Sequence, residues 1–294
     1  MAINKSMRRV LKALSFDGIE VEASRHLANL KAIDPMKIFH KTIDYKIYNG
    51  NHQIPVRIFL PGEKMEDDLP VFLFFHGGGW VTESIDNYER ICARLASATD
   101  HIVVSVEYRL APEHPYPAAV EDAMRAWDYL MYQGYGAENV TVAGDSAGGN
   151  LALVLCRRLK AAGRRMPRAL LLMSPWTDMT MTGASYRERV ESDPMLTPEY
   201  IEAVRRAYAG GRDLHDPDLS PLLGDLGSFP PTLIQVGDHE ILYSDSASLA
   251  AALRAAHVPC RLEVSEGMWH VFQMFPIKKA AAAMESAARF LLEL

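Results

Sequence analysis

Five short, almost wholly apolar stretches recur along this chain, at residues 71–75, 102–106, 140–143, 169–173 and 232–236. A strand with one wet face alternates polar and apolar residues; these do not, so each reads as a strand buried on both faces. Helical patterning fills the intervals, at 87–99, 117–132 and 147–162, then at 244–257 and 277–292, with Pro117 placed at a first helical position. Buried strands alternating with helices predict an α/β fold: a mainly parallel sheet with helices on both faces. Residues 43–48 and 54–59 alternate instead, and Asn49-Gly50 between them is a strong turn signal, so they predict a hairpin adding antiparallel strands at one edge. Residues 261–264 predict a last, more exposed strand, which brings the sheet to eight.

The chain has 294 residues, enough for one large domain of this class. Two helices are expected before residue 40, with a break near Phe16-Asp17-Gly18, and a polar loop at 61–70. Residues 174–231 are too long for an ordinary crossover and contain a predicted helix at 198–208; insertions of this length usually act as lids. With 31 basic against 37 acidic residues and no basic stripe, nucleic acid is not an expected partner. Three unpatterned cysteines argue against a disulfide framework and against zinc. No run approaches the ~20 apolar residues of a membrane span, and the N-terminus lacks the apolar block of a signal peptide. The expectation is a cytoplasmic enzyme without integral membrane association.

The chemistry concentrates where the 140–143 strand meets the 147–162 helix. The junction reads Gly144-Asp145-Ser146-Ala147-Gly148-Gly149, a G-x-S-x-G pattern. A bare G-x-S-x-G arises by chance in ~0.1 of chains this long, so context must carry the argument. Here it lies on a strand-to-helix turn, the form of a nucleophile elbow, with Gly144 and Gly148 as the small neighbours such a turn needs. Acyl transfer also requires oxyanion donors, a base and a group that orients the base. Donors are expected from the N–H of Ala147 and from His76-Gly77-Gly78-Gly79-Trp80 after the 71–75 strand, with Gly78 and Gly79 as donors and Gly77 as turn former. That loop lacks the phosphate-binding glycine patterns. The candidate base is His270, in the loop between the last strand and the last helix. His239 and His257 are competitors with poorer positions; His215, in His-Asp-Pro-Asp, suggests a metal ligand but has no second ligand cluster at suitable spacing. Glu240 and Asp238 both follow the 232–236 strand and are candidate acids, with Asp245 more remote.

These motifs, together with Tyr108-Arg109-Leu110-Ala111-Pro112-Glu113-His114-Pro115-Tyr116-Pro117, resemble the bacterial hormone-sensitive-lipase-like esterases of the α/β-hydrolase superfamily. The likeness runs from about Val71 to the C-terminus. It implies an eight-stranded α/β-hydrolase domain over 1–294 with a helical cap from about 1–40 and about 177–212. It also implies Ser146, Glu240 and His270 as triad. The family commonly places an Asp before Pro-Leu in the acid loop; the matching position here is Glu240 before Ile241-Leu242. Asp193-Pro194 is implied to lie in the cap near the site. The Tyr108–Pro117 stretch reads as scaffold, with Glu107 or Glu113 as partner for Arg109.

The expected activity is serine carboxylesterase action on short- to medium-chain acyl esters, with no metal or organic cofactor. An amidase or carbohydrate deacetylase, or a non-catalytic small-molecule receptor, are the alternatives on this fold. Trp80, Met268 and Trp269 flank these motifs and are candidates to narrow the substrate pocket, with core packing an equally fair reading. The exposed last strand is an edge at which a homodimer is able to form.

Overall fold

The computed structural model describes residues 41–62 and 69–294; the expected N-terminal helices and first cap segment lie outside them. The strands are β1 (Thr42–Asn49), β2 (His52–Phe59), β3 (Val71–Phe75), β4 (Ile102–Val106), β5 (Val140–Asp145), β6 (Ala169–Met173), β7 (Thr232–Gly237) and β8 (Cys260–Ser265). They form one sheet in the order β1-β2-β4-β3-β5-β6-β7-β8. The β1–β2 and β2–β4 pairs are antiparallel, and every other pair is parallel. The hairpin turns at 50–51, with Asn49 facing His52 and Gly50 at φ +58°, the left-handed backbone that Asn-Gly turns supply.

The helices are α1 (Glu89–Thr99), α2 (Ala118–Tyr132), α3 (Ala147–Ala161), α4 (Ser185–Glu188), α5 (Pro198–Ala209), α6 (Tyr243–Ala255) and α7 (Lys278–Leu292). The period of two along each strand decides which helices it meets. Val71, Leu73 and Phe75 of β3 join the core beneath α2, α3 and α6, whereas Phe72 and Phe74 join the core beneath α1 and α7. β3 to β7 are buried along their whole length, which is why they read as unbroken apolar runs. β8 ends the order with one neighbour and remains half exposed, as its sequence indicated.

Two local expectations are corrected. Pro117 caps α2 rather than opening it: its φ is −101° and the helix starts at Ala118. Arg109 pairs with neither Glu107 nor Glu113. Its guanidinium grips Asp122 (2.9 Å) and Glu121 (3.0 Å), adjacent carboxylates near the start of α2. Glu107 instead accepts from the Ile85 N–H at 2.6 Å.

The long insertion is tied down by buried polar groups. Asp245 on α6 accepts from the N–H groups of Thr177 (2.7 Å) and Asp178 (2.9 Å). Asn150 on α3 donates to Trp176 O and Leu219 O, each at 2.9 Å. α5 has an N-cap at Thr197, whose hydroxyl accepts from Tyr200 N, and ends at Gly210 with φ 58°. Tyr208 of α5 stacks on Trp80 at 4.2 Å, which lays this helix against the loop after β3.

Candidate active site

Residues at the carboxyl ends of β3, β5, β6 and β7 converge, as expected of an open parallel sheet. β5 runs to Asp145, and Ser146 follows with φ 50° and ψ −119°, before α3 begins at Ala147. A positive φ on a non-glycine residue costs on the order of 1–3 kcal/mol and persists only where its surroundings fix it. They do so here. Ser146 N–H donates to Met173 O at 2.9 Å, and its carbonyl accepts from Trp176 N at 3.0 Å. The glycines around it are demanded by close approach: a Cβ on Gly144 would lie 2.4 Å from Gly148 O, and one on Gly148 would lie 2.0 Å from Phe75 O. Ser146 is 8 % exposed, and its hydroxyl makes no hydrogen bond to a described residue.

The loop after β3 carries Gly78 at φ +86° and Gly79 at φ +61°. These two glycines make the turn. Gly77, expected to do so, is required for another reason: a Cβ there would sit 2.3 Å from Asp145 Oδ2. Its N–H is already given to Tyr88 Oη at 3.0 Å. The N–H groups of Gly78, Gly79 and Ala147 have no acceptor among the described residues. Three unpaired donors in the loop and elbow around Ser146, one of them at a helix N-terminus, are what a transient oxyanion requires.

His270 lies after β8 and is 6 % exposed. Its Nδ1 is 2.9 Å from Glu240 Oε2, so Nδ1 carries the proton and the Nε2 lone pair is free. Glu240 is fully buried, and its other oxygen accepts from Gly237 N (2.6 Å) and Ser174 Oγ (2.9 Å). Ser174 in turn accepts from Val271 N at 3.2 Å, which ties the histidine loop to the end of β6. Burial opposes the charged imidazolium, but the hydrogen bond and charge of Glu240, with the charges of Asp193 and Asp145, outweigh it; the pKa of His270 is raised.

Asp238, the alternative acid, is elsewhere. It accepts from His239 Nδ1 (2.7 Å) and Gly267 N (2.6 Å), and closes the loop that presents His270 rather than touching its ring. Asp193 stands nearby: Oδ1 accepts from Met195 N and Leu196 N, Oδ2 from Ile241 N at 2.8 Å, next to Glu240. Burial pushes its carboxyl up to about 6. Trp80 and Trp269 are 0 % and 2 % exposed, packed against Tyr208 and Phe275 respectively. Met268 contributes its backbone carbonyl to His239 N–H, while its side chain packs partly buried on the core. His215 is surface-exposed against Asp213, and the described residues contain no group able to hold a metal ion. Ser174, Tyr88 and Tyr108 all bond to this constellation; no motif announces Ser174 or Tyr88, since lone hydroxyls carry no spacing signal, and Tyr108 opens the stretch that reads as scaffold.

Residues 72–274 match the family model described as the α/β-hydrolase fold. An esterase of Acinetobacter venetianus is 39% identical over 219 residues, 73% of this chain and 72% of that protein. Carboxylesterase NlhH of Mycobacterium tuberculosis is 34% identical over 283 residues, 91% of this chain and 86% of that protein. Among solved structures, an esterase of the bacterial hormone-sensitive lipase family superposes with a TM-score of 0.91 at 32% identity, covering 100% of this chain and 99% of that one. The described residues include no helix long and apolar enough to cross a membrane. The chain belongs to the bacterial hormone-sensitive-lipase-like esterases of the α/β-hydrolase family.

Proposed function

We propose that this protein is a serine carboxylesterase acting on short- to medium-chain acyl esters, with Ser146 as nucleophile, His270 as base and Glu240 as the acid that orients it. The observation that carries the reading is the Glu240–His270 pair at 2.9 Å, with its free Nε2, in the same end-of-sheet cluster as a serine held at positive φ. His270 takes the Ser146 proton as Oγ attacks the ester carbonyl. The N–H groups of Gly78, Gly79 and Ala147 receive the oxyanion, and the imidazolium formed is stabilised by Glu240. His270 returns the proton to the leaving alcohol, then takes one from water, which cleaves the acyl-enzyme.

Residues 177–212 act as the cap in this reading. α5 lies against the oxyanion loop, where a Cβ on Gly79 would meet the Val204 side chain at 3.0 Å, and this contact supports reading the insertion as the wall on the alcohol side of a bound ester. The half-exposed edge β8 offers a second copy unpaired backbone groups for a homodimer. The test is a p-nitrophenyl ester series from acetate to decanoate on the wild type and on Ser146→Ala. Hydrolysis that declines with long chains and vanishes in the folded variant supports the reading; an unaffected variant refutes it.

A further inference from the structure

An oxyanion donor is useful only if its peptide plane is held, because a flipped peptide presents a carbonyl where an N–H is needed. Peptides are planar and trans, so a group that anchors a carbonyl also sends the following residue's N–H in the opposite direction. The loop after β3 is anchored in that way at three successive peptides. In the His76–Gly77 peptide, the carbonyl accepts from Tyr108 Oη at 2.7 Å and the N–H donates to Tyr88 Oη at 3.0 Å. In the Gly77–Gly78 peptide, the carbonyl lies 3.0 Å from His76 Nδ1 and 3.1 Å from Tyr108 Oη, leaving the Gly78 N–H turned away and unpaired. In the Gly78–Gly79 peptide, the carbonyl accepts from Val81 N at 3.1 Å and Thr82 N at 3.0 Å, and the Gly79 N–H is freed in turn.

Tyr88 and Tyr108 both come from outside the loop, from the start of α1 and from the segment after β4. The Tyr88 hydroxyl uses both of its capacities: it accepts from Gly77 and donates to Asp145 Oδ2 at 2.8 Å. Asp145 immediately precedes Ser146, is fully buried, and its Oδ1 has no partner among the described residues. The phenol therefore joins the loop carrying Gly78 and Gly79 to the elbow carrying Ser146 and Ala147. Tyr108 adds ring stacking on His76 at 4.2 Å to its two carbonyl contacts.

Resting on the serine-esterase reading above, we propose that Tyr88 and Tyr108 are positioning residues that lock the peptide planes of the Gly77–Gly79 loop and hold the two halves of the oxyanion site in register with Ser146. Neither touches the reacting atoms. Their effect falls on the transition state, where the oxyanion forms, and not on ground-state ester binding.

The experiment compares wild type, Tyr88→Phe and Tyr108→Phe, which keep the rings and remove only the hydroxyls. Each preparation is titrated with a fluorophosphonate to count reactive serines, so that kcat is expressed per competent site and any misfolded fraction is removed. Full loss of one oxyanion donor costs about 100-fold or more in kcat; a misaligned donor is expected to cost each variant roughly 10- to 100-fold, with KM within about twofold. Inhibition by an alkyl boronic acid, which forms a tetrahedral anion on the serine, is expected to weaken by a similar factor. A merely structural role would lower the melting temperature and the count of competent sites while leaving kcat per site and boronate affinity at wild-type values, and that result overturns the proposal. If the wild type itself neither hydrolyses esters nor reacts with the fluorophosphonate, the esterase reading fails; if the wild type is active and both variants match it, this inference alone fails.

Discussion

Glu240 reaches His270 with one oxygen and holds Gly237 N–H and the Ser174 hydroxyl with the other, so its two oxygens have separate tasks. Glu240→Gln keeps the shape but removes the charge and one acceptor. In a triad, loss of this charge lowers kcat by up to about 10⁴-fold, and a loss of at least about 100-fold is expected here. Asp238→Asn, which disturbs only the His239 and Gly267 contacts, is expected to stay within a few-fold; steady-state kinetics on both variants checks the ranking. The same residues set the pH response. Because His270 is held above its ordinary 6.5, kcat/KM is expected to fall as pH drops through a midpoint higher than that of a free histidine. In Glu240→Gln the midpoint should move to lower pH; a pH–rate profile of residual activity reads it. The linked stability has a fixed sign: the pairing stabilises the fold fully below the unfolded pKa, and that contribution is lost as pH rises through the folded one. Chain order alone narrowed the acid to two carboxylates two positions apart. What separated them is the direction in which each leaves the loop after β7, which no residue pattern encodes. Ser174 was illegible for the same reason, since its role exists only where the ends of β6 and β7 meet.

Elements were read more easily than contacts. β3 and β4 announce themselves because burial on both faces removes every polar residue but Ser105, and their bounds are those the sequence indicated. Ends were less legible: Pro117 belongs to the cap of α2, and β5 continues two residues further, to Asp145. The elbow shows why glycine matters at one position and not another. Gly148→Ala would drive a methyl to within 2.0 Å of Phe75 O, between α3 and β3, whereas Gly163 has a φ of +63° and open space around it. Urea unfolding is expected to show a loss of about 3 kcal/mol or more for Gly148→Ala, at or beyond the upper end of ordinary overpacking. Gly163→Ala should lose only about 1 kcal/mol, the cost of the left-handed backbone. Thr197→Ala removes the cap of α5 and is expected to cost about 1 kcal/mol.

On the scale of the whole molecule, a rigid sheet presents its strand ends to an insertion held by a few buried side chains. Asp245 is the clearest of these anchors, since Asp245→Ala would leave the Thr177 and Asp178 N–H groups unpaired in the interior. Each such group costs about 1–3 kcal/mol, and a chain of this size loses roughly 2–4 °C per kcal/mol. Calorimetry should therefore show a fall of at least about 4 °C. If residues 177–212 wall the alcohol side, KM for esters of bulky alcohols should change more than KM for methyl esters. The sequence indicated that an insertion was there; it gave no sign of which buried carboxylate fastens it, because a helix-borne Asp looks like any other until its neighbours are placed. The central claim is that one residue, Ser146, carries the acyl group. Intact-mass and peptide mass spectrometry after fluorophosphonate treatment tests it most directly. The expected result is a single adduct on the peptide containing Ser146, rising in step with the loss of ester hydrolysis. Adduct on another residue at full inactivation, or hydrolysis that survives complete labelling of Ser146, would contradict it.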